Sequence, residues 1–131
     1  MTSVLDTQLL IAFTFPPDEA TRQKASSLMR KELDRHLIIP TIVITEYINI
    51  AGRQIGLDAA ITRINTLEDW GAKISDIDKA TALEAGKLLM QYPDTPIADA
   101  VIASTYKHHS AEYILTSDEH IGRLGCKTKW L

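Results

Sequence analysis

The sequence predicts an α/β layer fold with a mainly parallel sheet, and two features of the chain support this. Short runs of β-branched and other apolar residues alternate with longer segments whose apolar residues recur at helical spacing. Strands that are separated by helices favour parallel pairing, because a parallel connection needs a long crossover. A length of 131 residues with 45% hydrophobic residues also fits one globular domain, expected to span residues 1–131.

The apolar runs that are too short for helices are the predicted strands. They are Ser3–Leu5, Leu37–Ile39, Lys73–Ile77, Tyr113–Leu115 and, as an edge strand, Thr128–Leu131. The segments with helical periodicity are a short helix through Leu10 and Phe13 that Pro16-Pro17 ends, Asp18–Arg35, Thr41–Arg53, Leu57–Trp70, Lys79–Gln91, a helix that reaches about His108, and Glu119–Leu124. We expect Ile61, Ile64 and Leu67 to share one buried stripe. Thr95 is the expected N-cap of the helix to His108, with Pro96 as its first residue.

Composition excludes several classes of protein. A single cysteine, Cys126, rules out a disulfide framework within the chain and makes a cysteine-based zinc site improbable. Met1-Thr2-Ser3 lacks the basic start of a signal peptide, and no apolar stretch approaches the roughly 18 residues of a membrane span. We therefore expect a cytoplasmic protein. The net charge of −3 is not that of a duplex-DNA reader, so binding of nucleic acid would need a local positive centre.

Four acidic residues stand in segments that are otherwise apolar. Asp6 is the only ionisable side chain in residues 1–17, Glu46 the only one in 37–52, and Asp99 the only one in 95–106, while Asp118 ends an apolar run. A buried carboxylate is costly unless it is paired, hydrogen-bonded or bound to a metal, and no Lys or Arg lies in the same runs. Oxygen ligands favour magnesium or manganese over zinc. The pattern therefore predicts one shared cation site.

Their predicted positions are compatible with a single crevice. Asp6 and Asp118 follow strands and would stand at the carboxyl edge of the sheet, where ligands bind in open α/β folds. Each residue also has a purely structural interpretation, which stays open. Asp6 and Asp118 could be N-caps, Asp99 could favour its helix dipole, and Glu46 could extend to solvent.

In these residues the sequence resembles the PIN-domain family, and in particular its small stand-alone members of the VapC toxin type. The resemblance rests on four blocks in the family's order. They are Val4-Leu5-Asp6-Thr7, Pro40-Thr41 through Thr45-Glu46-Tyr47, Ile97-Ala98-Asp99-Ala100-Val101-Ile102-Ala103, and Ile114-Leu115-Thr116-Ser117-Asp118. Each block is weak alone, but the ordered set is fairly specific and covers essentially the whole chain.

The resemblance implies a three-layer α/β/α fold with a central sheet of four to five strands. It also implies an endoribonuclease that uses magnesium or manganese to hydrolyse RNA phosphodiesters by metal-activated water. Asp6, Glu46, Asp99 and Asp118 would be its catalytic and metal-binding acids, with Asp6 and Asp99 the direct ligands. Thr116 and Ser117 would support them. Members of the family often form dimers, and the toxins are held by an antitoxin protein.

Five basic residues are candidates for contact with the RNA. Arg53, Lys107 and Arg123 are the first candidates, with Lys127 and Lys129 after them. Lys107 with His108 and His109 could instead simply stabilise a helix C-terminus. Trp70 and Trp130 are expected to be packing residues.

Other functions remain as alternatives. The chain could be an RNA-processing nuclease outside a toxin–antitoxin pair, or a non-catalytic domain whose acids receive a basic residue of a partner. A phosphatase or receiver domain is disfavoured, because the triplet Asp6-Thr7-Gln8 lacks the second acid that those sites use.

Overall fold

The computed structural model describes residues 1–131 and confirms the α/β fold class. Five strands form one parallel sheet in the order β3-β2-β1-β4-β5. The strands are β1 (Ser3–Leu5), β2 (Leu37–Pro40), β3 (Lys73–Ser75), β4 (Tyr113–Leu115) and β5 (Thr128–Lys129). The helices are α1 (Thr7–Thr14), α2 (Glu19–Arg35), α3 (Thr41–Ile55), α4 (Leu57–Asp69), α5 (Lys79–Gln91), α6 (Ile97–His108) and α7 (Glu119–Arg123).

Helices cover both faces of the sheet. Every residue of β1 and β2 is buried, which requires a cover on each side because neighbouring residues of a strand point to opposite faces. The helices pack in pairs, α1 with α2, α3 with α4, and α5 with α6. This arrangement confirms the expected sheet flanked by helices. None of the helices has both the length and the apolarity needed to cross a membrane.

Local sequence explains most helix ends. The Asp18 carboxylate caps α2 by accepting a hydrogen bond from Thr21 N at 2.7 Å, and Asp78 caps α5 by accepting from Thr81 N at 2.8 Å. Gly56, at φ 92°, separates α3 from α4 with a backbone conformation that favours glycine.

Several predicted details are wrong by a small margin. Pro96, not Thr95, occupies the N-cap of α6, where its extended backbone precedes the first helical residue. Ile61 is 40% exposed, and the buried face of α4 is formed by Ala60, Ile64 and Leu67. Three predicted elements end earlier than expected: β3 at Ser75, β5 at Lys129 and α7 at Arg123.

Candidate active site

Two neighbouring strands bring Asp6 and Asp118 to the same edge of the sheet. Asp6 directly follows β1, and Asp118 follows β4 after two further residues. The strands pair in parallel with Leu5 opposite Leu115, so their carboxyl ends coincide. This is the edge at which open α/β sheets bind ligands.

Asp6 is held in place by neutral hydrogen-bond donors. Only 4% of the residue is exposed. Its Oδ1 accepts a hydrogen bond from Thr7 N at 2.7 Å and its Oδ2 accepts one from Thr116 Oγ1 at 2.6 Å. Burial raises the pKa of Asp6 to about 6, assisted by the charges of Glu46 and Asp118, although the hydrogen bonds from Thr116 and Thr7 oppose this change.

Glu46 reaches the same cluster from α3. The residue is half-buried, and its Oε1 accepts a hydrogen bond from Thr7 Oγ1 at 2.7 Å. Thr7 therefore contacts two of the four acids, since its backbone N–H binds Asp6 and its hydroxyl binds Glu46. The adjacent Tyr47 is fully buried and fixes this turn of α3, with its hydroxyl 2.9 Å from Thr14 Oγ1.

Asp99 lies in the first turn of α6 and is the least satisfied of the four acids. It is 8% exposed, and its Oδ2 is one of only two buried side-chain oxygen or nitrogen atoms without a hydrogen-bond partner, the other being Ser3 Oγ. Burial and then the charge of Asp118 raise the pKa of Asp99 to about 7, with further contributions from Asp6 and Glu46. The four acids are thus electrostatic neighbours.

Asp118 combines a structural role with a place in the cluster. It is the N-cap of α7, where its Oδ1 accepts a hydrogen bond from His120 N at 2.8 Å. Its own N–H donates to Thr116 Oγ1 at 3.0 Å. Asp6 is likewise the N-cap of α1, so the capping interpretation of both residues is correct and coexists with their proximity.

Thr116 joins the two strand ends, while Ser117 does not contact the acids. Thr116 is buried and links Asp6 to the backbone of Asp118. Ser117 Oγ instead lies 3.1 Å from Gln8 Oε1, which also receives the Ser117 N–H. Sequence reasoning missed Thr7 and Gln8. The sequence does show these two polar residues at the start of an otherwise apolar helix, directly after Asp6.

No cation of the chain neutralises the cluster. The ion pairs of the structure use other carboxylates: Glu19, Glu32, Glu84, Glu112 and Glu119. No group of three or more His, Cys, Asp or Glu side chains is arranged to hold a metal ion as it stands. Joint coordination would therefore require some of the four carboxylates to move, whereas Asp6 can stay in place because each of its oxygens has a second lone pair.

The donor set nevertheless fits a hard cation. All four groups supply carboxylate oxygens, the ligands that magnesium and manganese prefer. The partnerless Asp99 Oδ2 is available without breaking a hydrogen bond. Burial, with mutual repulsion added to it, raises the pKa values of Asp6 and Asp99, and a nearby positive charge would offset both causes.

The three predicted substrate cations fall in different places. Arg53 lies seven residues beyond Glu46 on α3, which places it on the same helix face about 10 Å away. Arg123 lines a cleft of about 260 Å³ with His120 of the helix that Asp118 caps. Lys107 lies eight residues beyond Asp99, about 12 Å along α6, and its Nζ is 4.0 Å from Glu84 Oε1. The structure therefore separates Lys107 from the acids.

Comparison with known proteins gives a family and a set of structures with the same fold. A family model described as PIN domain matches residues 3–126. No curated protein matches the sequence. Mycobacterium tuberculosis VapC20, described as a Sarcin-Ricin loop cleaving toxin, has a TM-score of 0.79 at 13% identity, with 95% of each chain covered.

Two further solved structures share the fold. VapBC2 from Rickettsia felis, bound to a DNA fragment from its promoter, gives a TM-score of 0.74 at 16% identity over 99% of this chain and 98% of that chain. FitAcB from Neisseria gonorrhoeae gives 0.70 at 19% identity over 96% and 95%. At these identities the likeness concerns the fold.

Proposed function

The chain belongs to the PIN domain family, and we propose that it is a metal-dependent endoribonuclease that hydrolyses RNA phosphodiesters with water as the nucleophile. One observation above all supports this proposal. Four acids meet at the carboxyl edge of the sheet with no cation of the chain beside them, and Asp99 Oδ2 is buried without a partner. A stable domain has no structural need for such a cluster, whereas a cation-dependent active site does.

Magnesium or manganese is the proposed cofactor. Asp6 and Asp99 would be its direct ligands, and Glu46 and Asp118 would hold its water ligands or a second ion. When bound, such an ion supplies charge stabilisation for in-line attack on a phosphodiester and lowers the pKa of a water ligand. The ion also gives this chain of net charge −3 the positive centre that a phosphate requires.

The protein's own residues prepare the site for this reaction. Thr116 and the Thr7 N–H fix both oxygens of Asp6, and the Thr7 hydroxyl orients Glu46, so these carboxylates are positioned before substrate arrives. Asp118 is half-buried and in contact with solvent, where it can orient the attacking water and accept its proton. Attack by water does not use the 2′-hydroxyl, so preference for RNA would arise from contacts around the site.

Two of the three predicted cations remain candidates for phosphate contacts. Arg53 is exposed on the helix that carries Glu46, and Arg123 lies on the helix that Asp118 caps. We propose that both side chains contact phosphates that flank the scissile bond. Lys107 is not included, because it lies at the other end of α6.

We propose further that the protein is the toxin of a toxin–antitoxin pair. Among solved structures with this fold, one is described as a toxin–antitoxin complex from Klebsiella pneumoniae and another as a Sarcin-Ricin loop cleaving toxin. The chain also has a surface suited to a protein partner, a cleft of about 560 Å³ lined by Phe13, Met29, Leu33 and Trp70, with Trp70 60% exposed. A nuclease of RNA processing, or a non-catalytic binding domain, is the alternative. A gene for a small DNA-binding protein beside this one would favour the toxin.

A homodimer is part of the same proposal. Apolar side chains on α5 and at the start of α6 are strongly exposed, with Leu83 at 61%, Met90 at 86% and Ile97 at 68%. Burial of such residues against a second copy would remove them from water. Light scattering on the purified chain would show a monomer if this part of the proposal is wrong.

The nuclease is tested by cleavage of a labelled structured RNA in EDTA, magnesium or manganese, with Asp99→Asn in parallel. We expect cleavage by the wild-type chain only with a divalent ion, and cleavage by the variant that is about 10²–10³-fold slower. Activity in EDTA, or equal activity of the variant, would contradict the proposal. An RNA left intact by a folded, metal-loaded wild-type chain across several RNA classes would favour the binding domain.

A further inference from the structure

A positively charged cleft lies beside β5, the strand at one edge of the sheet. It has a volume of about 510 Å³ and lies between α2 and the segment that follows β5. Its lining includes Lys24 and Lys31 from α2, Lys129 from β5, and Trp130, and it contains no Asp or Glu side chain. We call this feature the lysine cleft.

The lysines of this cleft lie close together in a chain that is acidic as a whole. Proximity to Lys31, together with burial, lowers the pKa of Lys129. The carboxylate that reaches Lys129 is the buried Glu32, with its Oε1 at 3.9 Å from Lys129 Nζ. Glu32 is already shared, because Arg35 Nη1 lies 3.7 Å from the same oxygen and Tyr113 donates a hydrogen bond to it. The cleft therefore retains uncompensated positive charge.

The lysine cleft is connected to the proposed active site through one residue. Thr116 N donates a hydrogen bond to Lys129 O at 3.0 Å, and Thr116 Oγ1 donates to Asp6 Oδ2 at 2.6 Å. Because β5 pairs in parallel with β4, the residues that follow Lys129 emerge at the same sheet edge as Asp118. The acids and the end of β5 therefore lie at the same edge of the sheet.

We propose that the lysine cleft binds backbone phosphates of the RNA several nucleotides from the scissile bond, with Trp130 as an apolar wall for a base. This inference rests on the proposed function. A cationic groove combined with an aromatic side chain is the usual means of binding single-stranded nucleic acid. RNA is favoured over an acidic protein segment because β5, which contributes Lys129 to the cleft, ends at the sheet edge that carries the acids, and because a site of four carboxylates needs substrate affinity from elsewhere.

The test compares two double variants with the same change of charge. Lys24→Gln with Lys31→Gln removes exposed lysines of the cleft and leaves Lys129 on Glu32. Lys79→Gln with Lys87→Gln removes two exposed lysines of α5 as a control. Affinity for a labelled single-stranded RNA of about 20 nucleotides, a length that spans both sites, is measured by fluorescence anisotropy in EDTA at several salt concentrations.

We expect the cleft variant to bind RNA roughly 10-fold more weakly than the control. The plot of log K against log salt should become less steep by about 1.4, because the variant loses two phosphate contacts at roughly 0.7 each in single strands. In cleavage with magnesium, its KM should rise while kcat stays unchanged. A double Lys→Arg variant at the same positions should bind normally.

Three results would overturn the inference. The first is equal RNA affinity of both double variants. The second is no RNA binding by the wild-type chain. The third is that the cleft variant loses binding to a polyglutamate peptide but keeps its binding to RNA. The inference and the proposed function fail separately. RNA that binds through the cleft but is never cleaved would contradict the nuclease alone, whereas cleavage with an unaltered KM in the cleft variant would contradict the cleft alone.

Discussion

Two regions of this molecule bury carboxylates, and they do so in opposite ways. Glu32 on α2 is 1% exposed, and Arg35, Lys129 and Tyr113 surround it with positive charge and a hydrogen bond. Asp99 on α6 is 8% exposed, and its neighbours are further acids. Burial alone is therefore not what sets the proposed active site apart.

The two regions differ in whether the chain itself supplies the positive charge that neutralises the buried carboxylates. A buried carboxylate that the chain itself neutralises contributes to the fold, and its removal takes a partner from the cations and the hydroxyl group around it. A group of carboxylates that the chain leaves unneutralised costs stability until a ligand arrives. We interpret Glu32 as structural and the four acids of the sheet edge as functional. The predictions below test this distinction.

The largest effect is expected for Asp99→Asn. RNA cleavage should fall by about 10²–10³-fold, the usual cost of losing one group that stabilises charge in a transition state. Stability in the absence of metal should not fall, since the change removes a repelled charge at nearly constant volume. Cleavage assays and urea unfolding check the two parts. A strongly destabilised variant would assign Asp99 to the fold instead.

Glu32→Ala should give the reverse result. We expect a loss of about 3 kcal/mol in the free energy of unfolding, because two cations and the Tyr113 hydroxyl lose their buried partner. The kcat for RNA cleavage should change little at temperatures where the variant is folded. A drop in kcat comparable to that of Asp99→Asn would erase the distinction between the two regions.

Stability of the metal-free chain should depend on pH through the acid cluster. The pKa of Asp6 is about 6 and that of Asp99 about 7, against 3.8 for an ordinary aspartate, so the folded chain binds protons more tightly than the unfolded chain. Their contribution to stability is full below about pH 4 and is lost as pH rises through 6 and 7.

Lowering the pH from about 8 to about 5 should therefore raise the free energy of unfolding by an amount on the order of 2 kcal/mol. Urea unfolding in EDTA measures the change. Asp99→Asn should flatten part of this dependence. A metal-free chain that is more stable at pH 8 than at pH 5 would show that the carboxylates are not repelled as described.

Thr116→Val should produce the smallest effect. It removes the donor to Asp6 Oδ2 and the acceptor for Asp118 N–H without a large change in shape. We expect about 1 kcal/mol of stability to be lost. Cleavage should fall by roughly 10-fold, since Thr116 acts through Asp6. Thr116→Ser, which keeps the hydroxyl, serves as the control and should retain most activity.

The burial of Asp6 and Asp99 could be predicted from the sequence for a clear physical reason. Asp6 and Asp99 are each the only side chain charged at neutral pH in an apolar segment, so their burial could be inferred without coordinates, whereas Glu46, in a similar segment, is only half-buried. Glu32 could not be found in this way, because it stands in a highly charged helix next to Lys31 and only the packing of α2 reveals that it is buried.

Long-range contacts explain what the sequence missed. The bond between Thr116 and Asp6 joins residues 110 positions apart, and Gln8 meets Ser117 across 109 positions. Lys107 also lies far from Asp99, because the two residues are near opposite ends of α6. By contrast, the order of helices and strands follows from local periodicity and turn residues, and errors there are confined to the ends of elements, as at Pro96.

Binding of manganese to the wild-type chain, Asp99→Asn and Glu32→Gln tests the central claim most directly, with titration calorimetry as the measurement. The acids of the sheet edge should bind the ion saturably in the wild-type chain, at least about 10-fold more weakly in Asp99→Asn, and normally in Glu32→Gln. Equal binding by the wild-type chain and Asp99→Asn, or no saturable binding by either, would contradict the claim that these four acids await a cation.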